Sequence, residues 1–217
     1  MNFQDYIHPF NRRSLLKLTG FAIIIPIANF LSACTTLQNE DRELSSQKQA
    51  TQYAFWMNSM ACIGCGECVT ACRNMNNTSD EYDARRKLIL YEFEENVSKY
   101  VSVSCMHCSQ PTCLQVCPAK AISKRSDGIV IVDQSRCIGC KYCYQACPFG
   151  VPRYTSSGMD KCDCCLGIGV KAGQDPYCIK ACPSGALKFG TLESLLEQAD
   201  EGARQLDAPT EPSFLLS

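Results

Sequence analysis

Sixteen of the 18 cysteines in this 217-residue chain fall into four runs of four. They are Cys62, Cys65, Cys68, Cys72; Cys105, Cys108, Cys113, Cys117; Cys137, Cys140, Cys143, Cys147; and Cys162, Cys165, Cys178, Cys182. Runs one and three share the spacing CxxCxxCxxxC, whereas the gap between the middle cysteines widens to four residues in run two and twelve in run four. Three thiolates at such spacing, on a loop that winds around a cofactor, can bind three irons at neighbouring corners of one cube, and the fourth iron must be bound from elsewhere. Sixteen thiolates therefore suit four 4Fe-4S clusters. Zinc knuckles use two CxxC pairs per metal and have no use for a third cysteine two residues on. Disulfides are disfavoured too, because closely spaced thiols would compete for one partner.

Cys34 and Cys164 are left over. In "KCDCC" either Cys164 or Cys165 could join Cys162, but every other run opens with two residues between its first two cysteines, which favours Cys165. Cys164 is then expected as a free thiol or a small packed side chain.

The rest of the composition narrows the chemistry. There are two histidines, His8 and His107, and no CxxCH, so a histidine-built zinc site, a His-based triad or a haem site has little to be made from. A net charge of -1 gives no basic surface for nucleic acid. His107, between two cysteines of run two, is expected beside a ligand or on the surface. Tyr142, Tyr144, Phe149 and Tyr154 are expected to shield clusters from water, and "GIGVKAG" at Gly167 to Gly173 reads as a loop.

The elements that must position the cysteines are short. "SDG" followed by "GIVIVD" predicts a hairpin between runs two and three, so those runs form one pair. Runs one and four flank it and form the other, and "CPSGAL" from Cys182 echoes "CPAKAI" from Cys117. Proline follows the last cysteine of runs two, three and four, as Pro118, Pro148 and Pro183, and turns the chain away, while Arg73 follows run one. "KLILYEF" and "YVSVSC" are strand candidates in the connection after run one. Beyond the clusters, "FGTLESLLEQADEGARQL" predicts an amphipathic helix capped by Thr191, with Leu192, Leu195, Leu196 and Ala199 on one face. The fold class expected is α+β: a duplicated ferredoxin-like fold with one two-cluster unit inserted in another, short hairpins and a C-terminal helix. The inserted domain is residues 105–147, the outer one 53–104 with 148–190, and the helix and tail 191–217.

The first 33 residues resemble an export leader: "NRRSLLK", an apolar run from Leu18 to Leu31, then "LSAC". The paired Arg12 and Arg13 resemble a twin-arginine signal, and "LSAC" resembles a lipobox whose cysteine, Cys34, would carry lipid. Residues 34–52 are polar and read as a tether, so the domain is expected to be exported and membrane-associated, in the periplasm or on the outer face of the cytoplasmic membrane. The twin-arginine route carries folded proteins, so clusters could be inserted before export.

From Tyr53 to Gly190 the motifs "YAFWMNSMACIGCGEC", "SVSCMHCSQPTCLQVCP", "DGIVIVDQSRCIGCKYCYQACPFGVPRY" and "MDKCDCC" follow in order. In these the protein resembles the four-cluster iron-sulfur subunits of molybdopterin oxidoreductases, those of the dimethyl sulfoxide reductase group above all. The resemblance implies the ligand sets Cys62, Cys65, Cys68 with Cys182; Cys162, Cys165, Cys178 with Cys72; Cys105, Cys108, Cys113 with Cys147; and Cys137, Cys140, Cys143 with Cys117. It implies a non-catalytic electron-transfer subunit between a quinol-oxidising integral membrane subunit and a molybdopterin-containing catalytic subunit. An own leader is more like that of polysulfide, tetrathionate or nitrite reductase partners, and a free polyferredoxin-type carrier is the other functional class open.

Overall fold

The structure, a computed structural model, describes residues 51–78, 84–93 and 97–217. The expected leader, the lipid-bearing Cys34 and the tether up to residue 50 lie outside the described residues.

Strand β1 (Tyr53–Met57) leads into run one, which ends on α1 (Glu67–Asn76). The hairpin of β2 (Lys87–Phe93) and β3 (Val97–Val103) leads to run two and α2 (Thr112–Gln115). A second hairpin, β4 (Ile122–Lys124) with β5 (Val130–Val132), leads to run three and α3 (Tyr142–Ala146). After β6 (Arg153–Thr155) and β7 (Gly158–Asp160), run four passes through a 3-10 turn at Leu166–Ile168 into α4 (Tyr177–Lys180). The last elements are β8 (Leu187–Thr191), α5 (Leu192–Gln198), β9 (Arg204–Gln205) and β10 (Phe214–Leu216). This is a mixed α and β fold of short hairpins and small helices; the hairpin expected between runs two and three is present, and the strand candidates after run one pair with each other as a further hairpin.

The helices are short because each serves a single purpose. The third cysteine of each run, Cys68, Cys113, Cys143 or Cys178, lies in the first turn of its helix. The fourth follows four residues later, still within α1 for Cys72 but just beyond the helix for Cys117, Cys147 and Cys182. α1 packs against α4, and α2 against α3.

The largest sheet has the order β8-β1-β10-β9. β1 runs antiparallel to β8, from Tyr53 opposite Thr191 to Met57 opposite Leu187, and parallel to β10, with Phe55 opposite Phe214. Its sequence YAFWM is apolar throughout because both of its faces are covered. Phe55, Met57 and Phe214 join Val101, Val103, Met106 and Ile129 in the main core, among the cysteines. Ala54, Trp56 and Leu215 pack under α5, against Leu195, Leu192 and Ala199.

The C-terminal region departs from expectation. The Thr191 side chain caps α5, accepting a hydrogen bond from the Ser194 N–H at 3.2 Å, as its sequence suggests. However, α5 ends at Gln198, and the tail returns as β9 and β10 to widen the sheet. Leu196 is half exposed rather than part of the buried face, since only Leu192, Leu195 and Ala199 meet the sheet.

Candidate iron-sulfur cluster sites

Each run makes the same turn. The residue before its second cysteine has a positive φ: 71° at Gly64, 43° at His107, 68° at Gly139 and 57° at Cys164. This left-handed step reverses the backbone from the first thiol to the second, and glycine takes it without strain. At Gly64 a Cβ would also lie 2.4 Å from the Tyr100 ring, so a larger residue would have to displace that side chain. Into their helices the runs divide in two. Where only two residues separate the second and third cysteines, the backbone turns again through left-handed Gly66 or Lys141; with longer gaps it enters in extended form through Pro111 or Pro176.

The thiols gather in four groups. Cys62, Cys65, Cys68 and Cys182 line a space of about 310 Å³ with Met57, Leu88 and Leu187. Cys137, Cys140, Cys143 and Cys117 line one of about 330 Å³ with Ile122, Val132 and Met159. Cys105, Cys108, Cys113 and Cys147 line a third, of about 390 Å³, with Val130, Phe149 and Val151. Cys72 stands with Cys162, Cys178 and Cys165; burial, and then the charges of these neighbours, push its thiol up to about 12. Each group thus takes three cysteines from one run and the last cysteine of its paired run.

The spacing of these thiols bears on what they can hold. In a tetrahedral zinc site with Zn–S near 2.3 Å, the sulfurs lie about 3.8 Å apart. Among the described residues only His107, Cys162 and Cys164 bring three ligand atoms all within 4.8 Å of one another. The four groups are therefore too open for a single ion, and their soft, all-thiol donor sets fit an iron-sulfur cluster. None of the 17 described cysteines is in a disulfide. Donors already point at several sulfurs: Ala121 N–H to Cys117 Sγ and Met159 N–H to Cys137 Sγ, both at 3.3 Å, with the Tyr154 hydroxyl 3.0 Å from Cys143 Sγ. Such bonds are among the means by which proteins set cluster potentials.

The groups stand in a row. Cys68 and Cys72 share α1, so the Cys62 and Cys72 groups adjoin. Cys143 lies in α3 and Cys147 directly follows it, which joins the Cys137 and Cys105 groups. The remaining seam, between the Cys72 and Cys105 groups, is filled by His107, Cys164 and Lys161, all buried. His107 is thus inside the protein, which rules out the surface position left open by sequence. Its Nδ1 accepts the Val130 N–H at 3.0 Å, and its Nε2 lies 3.3 Å from Cys164 Sγ. Burial lowers the pKa of this imidazole, while Cys105 and Cys162 as thiolates would raise it to about 9. A protonated ring would set an Nδ1–H against the Val130 N–H, so the geometry holds it neutral with its proton on Nε2, unable to ligate a metal there. Cys164 fills the turn position that glycine holds in runs one and three. That explains how "KCDCC" is read by the fold, with Cys162 and Cys165 facing Cys72.

Of the aromatics expected to shield clusters, Phe149 lines the Cys105 space and Tyr154 bonds to Cys143, but Tyr142 and Tyr144 are exposed. Two buried cations were not anticipated. Lys161 donates to the backbone carbonyls of Val130 and Cys162. Arg86 donates to Ser102 and to Ser104 Oγ, beneath the Phe55 ring face. In the sequence both look like ordinary surface charges, and only the positions of Arg86 beside a second arginine and Lys161 beside a cysteine hinted otherwise.

Comparison with known proteins points the same way. Two family models, each described as a 4Fe-4S dicluster domain, match residues 61–121 and 97–192. The probable anaerobic dimethyl sulfoxide reductase subunit YnfG of Escherichia coli K12 is 40% identical over 163 residues, covering 68% of this protein and 78% of that one. The B subunit of the anaerobic dimethyl sulfoxide reductase of the same strain is 38% identical over 185 residues, covering 76% and 88%. The thiosulfate reductase electron transfer subunit PhsB of Salmonella typhi is 41% identical over 151 residues, covering 65% and 77%. The protein carries multiple 4Fe-4S clusters and serves electron transfer rather than catalysis: it belongs to the family of 4Fe-4S dicluster iron-sulfur subunits that includes the B subunit of anaerobic dimethyl sulfoxide reductase.

Proposed function

We propose that the protein holds four 4Fe-4S clusters, one in each cysteine group, and connects a quinol-oxidising membrane subunit to a molybdopterin-containing catalytic subunit in a dimethyl sulfoxide reductase-like respiratory complex. Its ligands are Cys62, Cys65, Cys68 and Cys182; Cys72, Cys162, Cys165 and Cys178; Cys105, Cys108, Cys113 and Cys147; and Cys117, Cys137, Cys140 and Cys143. The row of four adjoining thiol groups, each too wide for one ion, carries this reading. When bound, the clusters supply one-electron chemistry. The protein's own part is to place the thiolates, burying those of the Cys72 group in the shared core and leaving Cys65 and Cys140 of the outer groups exposed. Nested pairing of runs one and four around runs two and three makes one ferredoxin-like unit an insertion in the other, and the packing of α1 on α4 and α2 on α3 supports it.

The leader and Cys34 extend the proposal: export by a twin-arginine route, with lipid on Cys34 holding the mature protein at the outer face of the cytoplasmic membrane. A native complex isolated from membranes should contain iron and molybdenum together with this subunit, and intact-mass analysis of the subunit should show an acylated Cys34. A protein that purifies alone, with iron but neither partner, would favour a free polyferredoxin-type carrier. An unmodified Cys34 would remove the anchor.

A further inference from the structure

Arg85 and Arg86 are neighbours with opposite solutions to the same problem. Arg85 is ion-paired with Asp160 at 2.8 Å and Asp163 at 3.1 Å, and also bonds Asn76. Arg86 is 1% exposed, yet no carboxylate meets it among the described residues. Its partners are neutral: Ser102 O and Oγ at 3.3 and 3.1 Å, Ser104 Oγ at 2.9 Å and the Phe55 ring 4.7 Å from its carbon. Its Nε is buried with no hydrogen-bond partner among the described residues. A guanidinium does not give up its proton, so this is a permanent buried charge without a carboxylate partner among the described residues.

The negative charge it lacks belongs to the sites around it. Ser102 Oγ, which takes a bond from Arg86, lies 3.2 Å from Cys68 Sγ in the first group. On its other side lies the second group: the adjacent Arg85 bonds Asp163, next to Cys162, and Asn76, whose amide donates to the Cys72 carbonyl, and Cys178 is the nearest thiol of that group to Arg86. Arg86 therefore stands between two adjoining thiol groups, where cluster-bound thiolates would give it the counter-charge. A reduction adds one negative charge, which burial opposes and a fixed cation favours.

We propose that Arg86 is the built-in counter-charge of the cluster held by Cys72, Cys162, Cys165 and Cys178, raising its reduction potential, with a smaller effect through Ser102 on the cluster at Cys62, Cys65, Cys68 and Cys182. This rests on the four-cluster reading. Arg86 is a positioning and tuning residue, and its effect on potential is separable from packing.

The test is a potentiometric titration followed by electron paramagnetic resonance, on membranes containing the full-length protein in its complex, with iron measured in parallel. An opposite charge a few ångströms away moves an ionisation equilibrium by one to three decades. Arg86→Met should therefore keep its iron while the signal that disappears in Cys165→Ser becomes at least tenfold harder to reduce, a fall of about 59 mV for one electron. Arg86→Lys, which keeps the charge, should stay near the wild-type potential. If Arg86→Met loses iron, retention of iron at the wild-type potential in Arg86→Lys would still support a counter-charge. Unchanged potentials in an iron-replete Arg86→Met, equal shifts in both variants, or loss of iron in both would overturn the proposal in favour of packing. A wild-type protein without four cluster signals would instead sink the reading of the sites, leaving the role of Arg86 without its premise.

Discussion

At the two ends of the row the thiols meet solvent: Cys65 and Cys140 are exposed, and beside them Ile63 and Ile138 are 67% and 70% exposed. In the middle, Cys72, Cys105, Cys162, Cys165 and Cys178 are buried, together with Arg86, Lys161 and His107, while Cys108, Cys113 and Cys147 are partly buried and none is exposed. The same turn serves both regions, yet its left-handed position is glycine at the ends and His107 or Cys164 in the middle. A non-glycine residue there costs roughly 1–3 kcal/mol unless its surroundings hold it. His107 and Cys164 face each other across the seam, so the strained residues are those that knit the two pairs of groups together. The lesson is that the loop fixes where the thiols go, while the residues around it decide whether a site is an opening or an interior step.

The sharpest way to break this comparison is in run four. Cys165→Ser should lose a cluster or leave a three-iron form, while Cys164→Ser should keep all the iron and the same spectra; iron analysis decides, and the reverse pattern would exchange the roles of the two residues. Next comes the core beneath the inner sites. Phe214 is 1% exposed and packs in the cluster that contains Phe55 and several of the thiols, so Phe214→Ala should destabilise the protein by about 3–5 kcal/mol, read from thermal unfolding. At the ends the expectation inverts. Ile63→Glu or Ile138→Glu should leave stability within about 0.5 kcal/mol, but should weaken electron exchange with a partner subunit, measured as slower quinol-dependent turnover at unchanged iron content. The smallest effect is Cys164→Gly, which gives a middle turn the residue of an end turn. Relief of the left-handed backbone and loss of the contact with His107 nearly offset, leaving stability within about 1 kcal/mol of wild type.

Much of this was legible in the sequence, for a physical reason. A cube that needs three nearby thiolates writes its spacing directly into the sequence, so the four runs can be read without a structure, and the same spacing is the ground for expecting Cys165 rather than Cys164 as a ligand. The hairpins were legible because "GIVIVD" and "KLILYEF" have the composition of strands. β9 and β10 were not, since strands of two and three residues carry no periodicity and exist only because β1 offers an edge. Arg86 and Lys161 were hidden for a different reason: a charged residue reads as solvated, and only its tertiary position reveals that it is buried without a carboxylate. His107 was half legible, as a residue beside ligands, but its burial depends on run four arriving from more than fifty positions away, at Cys164.

Four clusters in four groups of thiols are tested most directly by the iron and acid-labile sulfide content of the purified protein, with electron paramagnetic resonance of its reduced form. About sixteen of each per molecule, four for every cluster, with spectra of interacting 4Fe-4S centres, is the predicted result. Stoichiometric zinc with little iron, or iron for only two clusters in a fully folded protein, would contradict it.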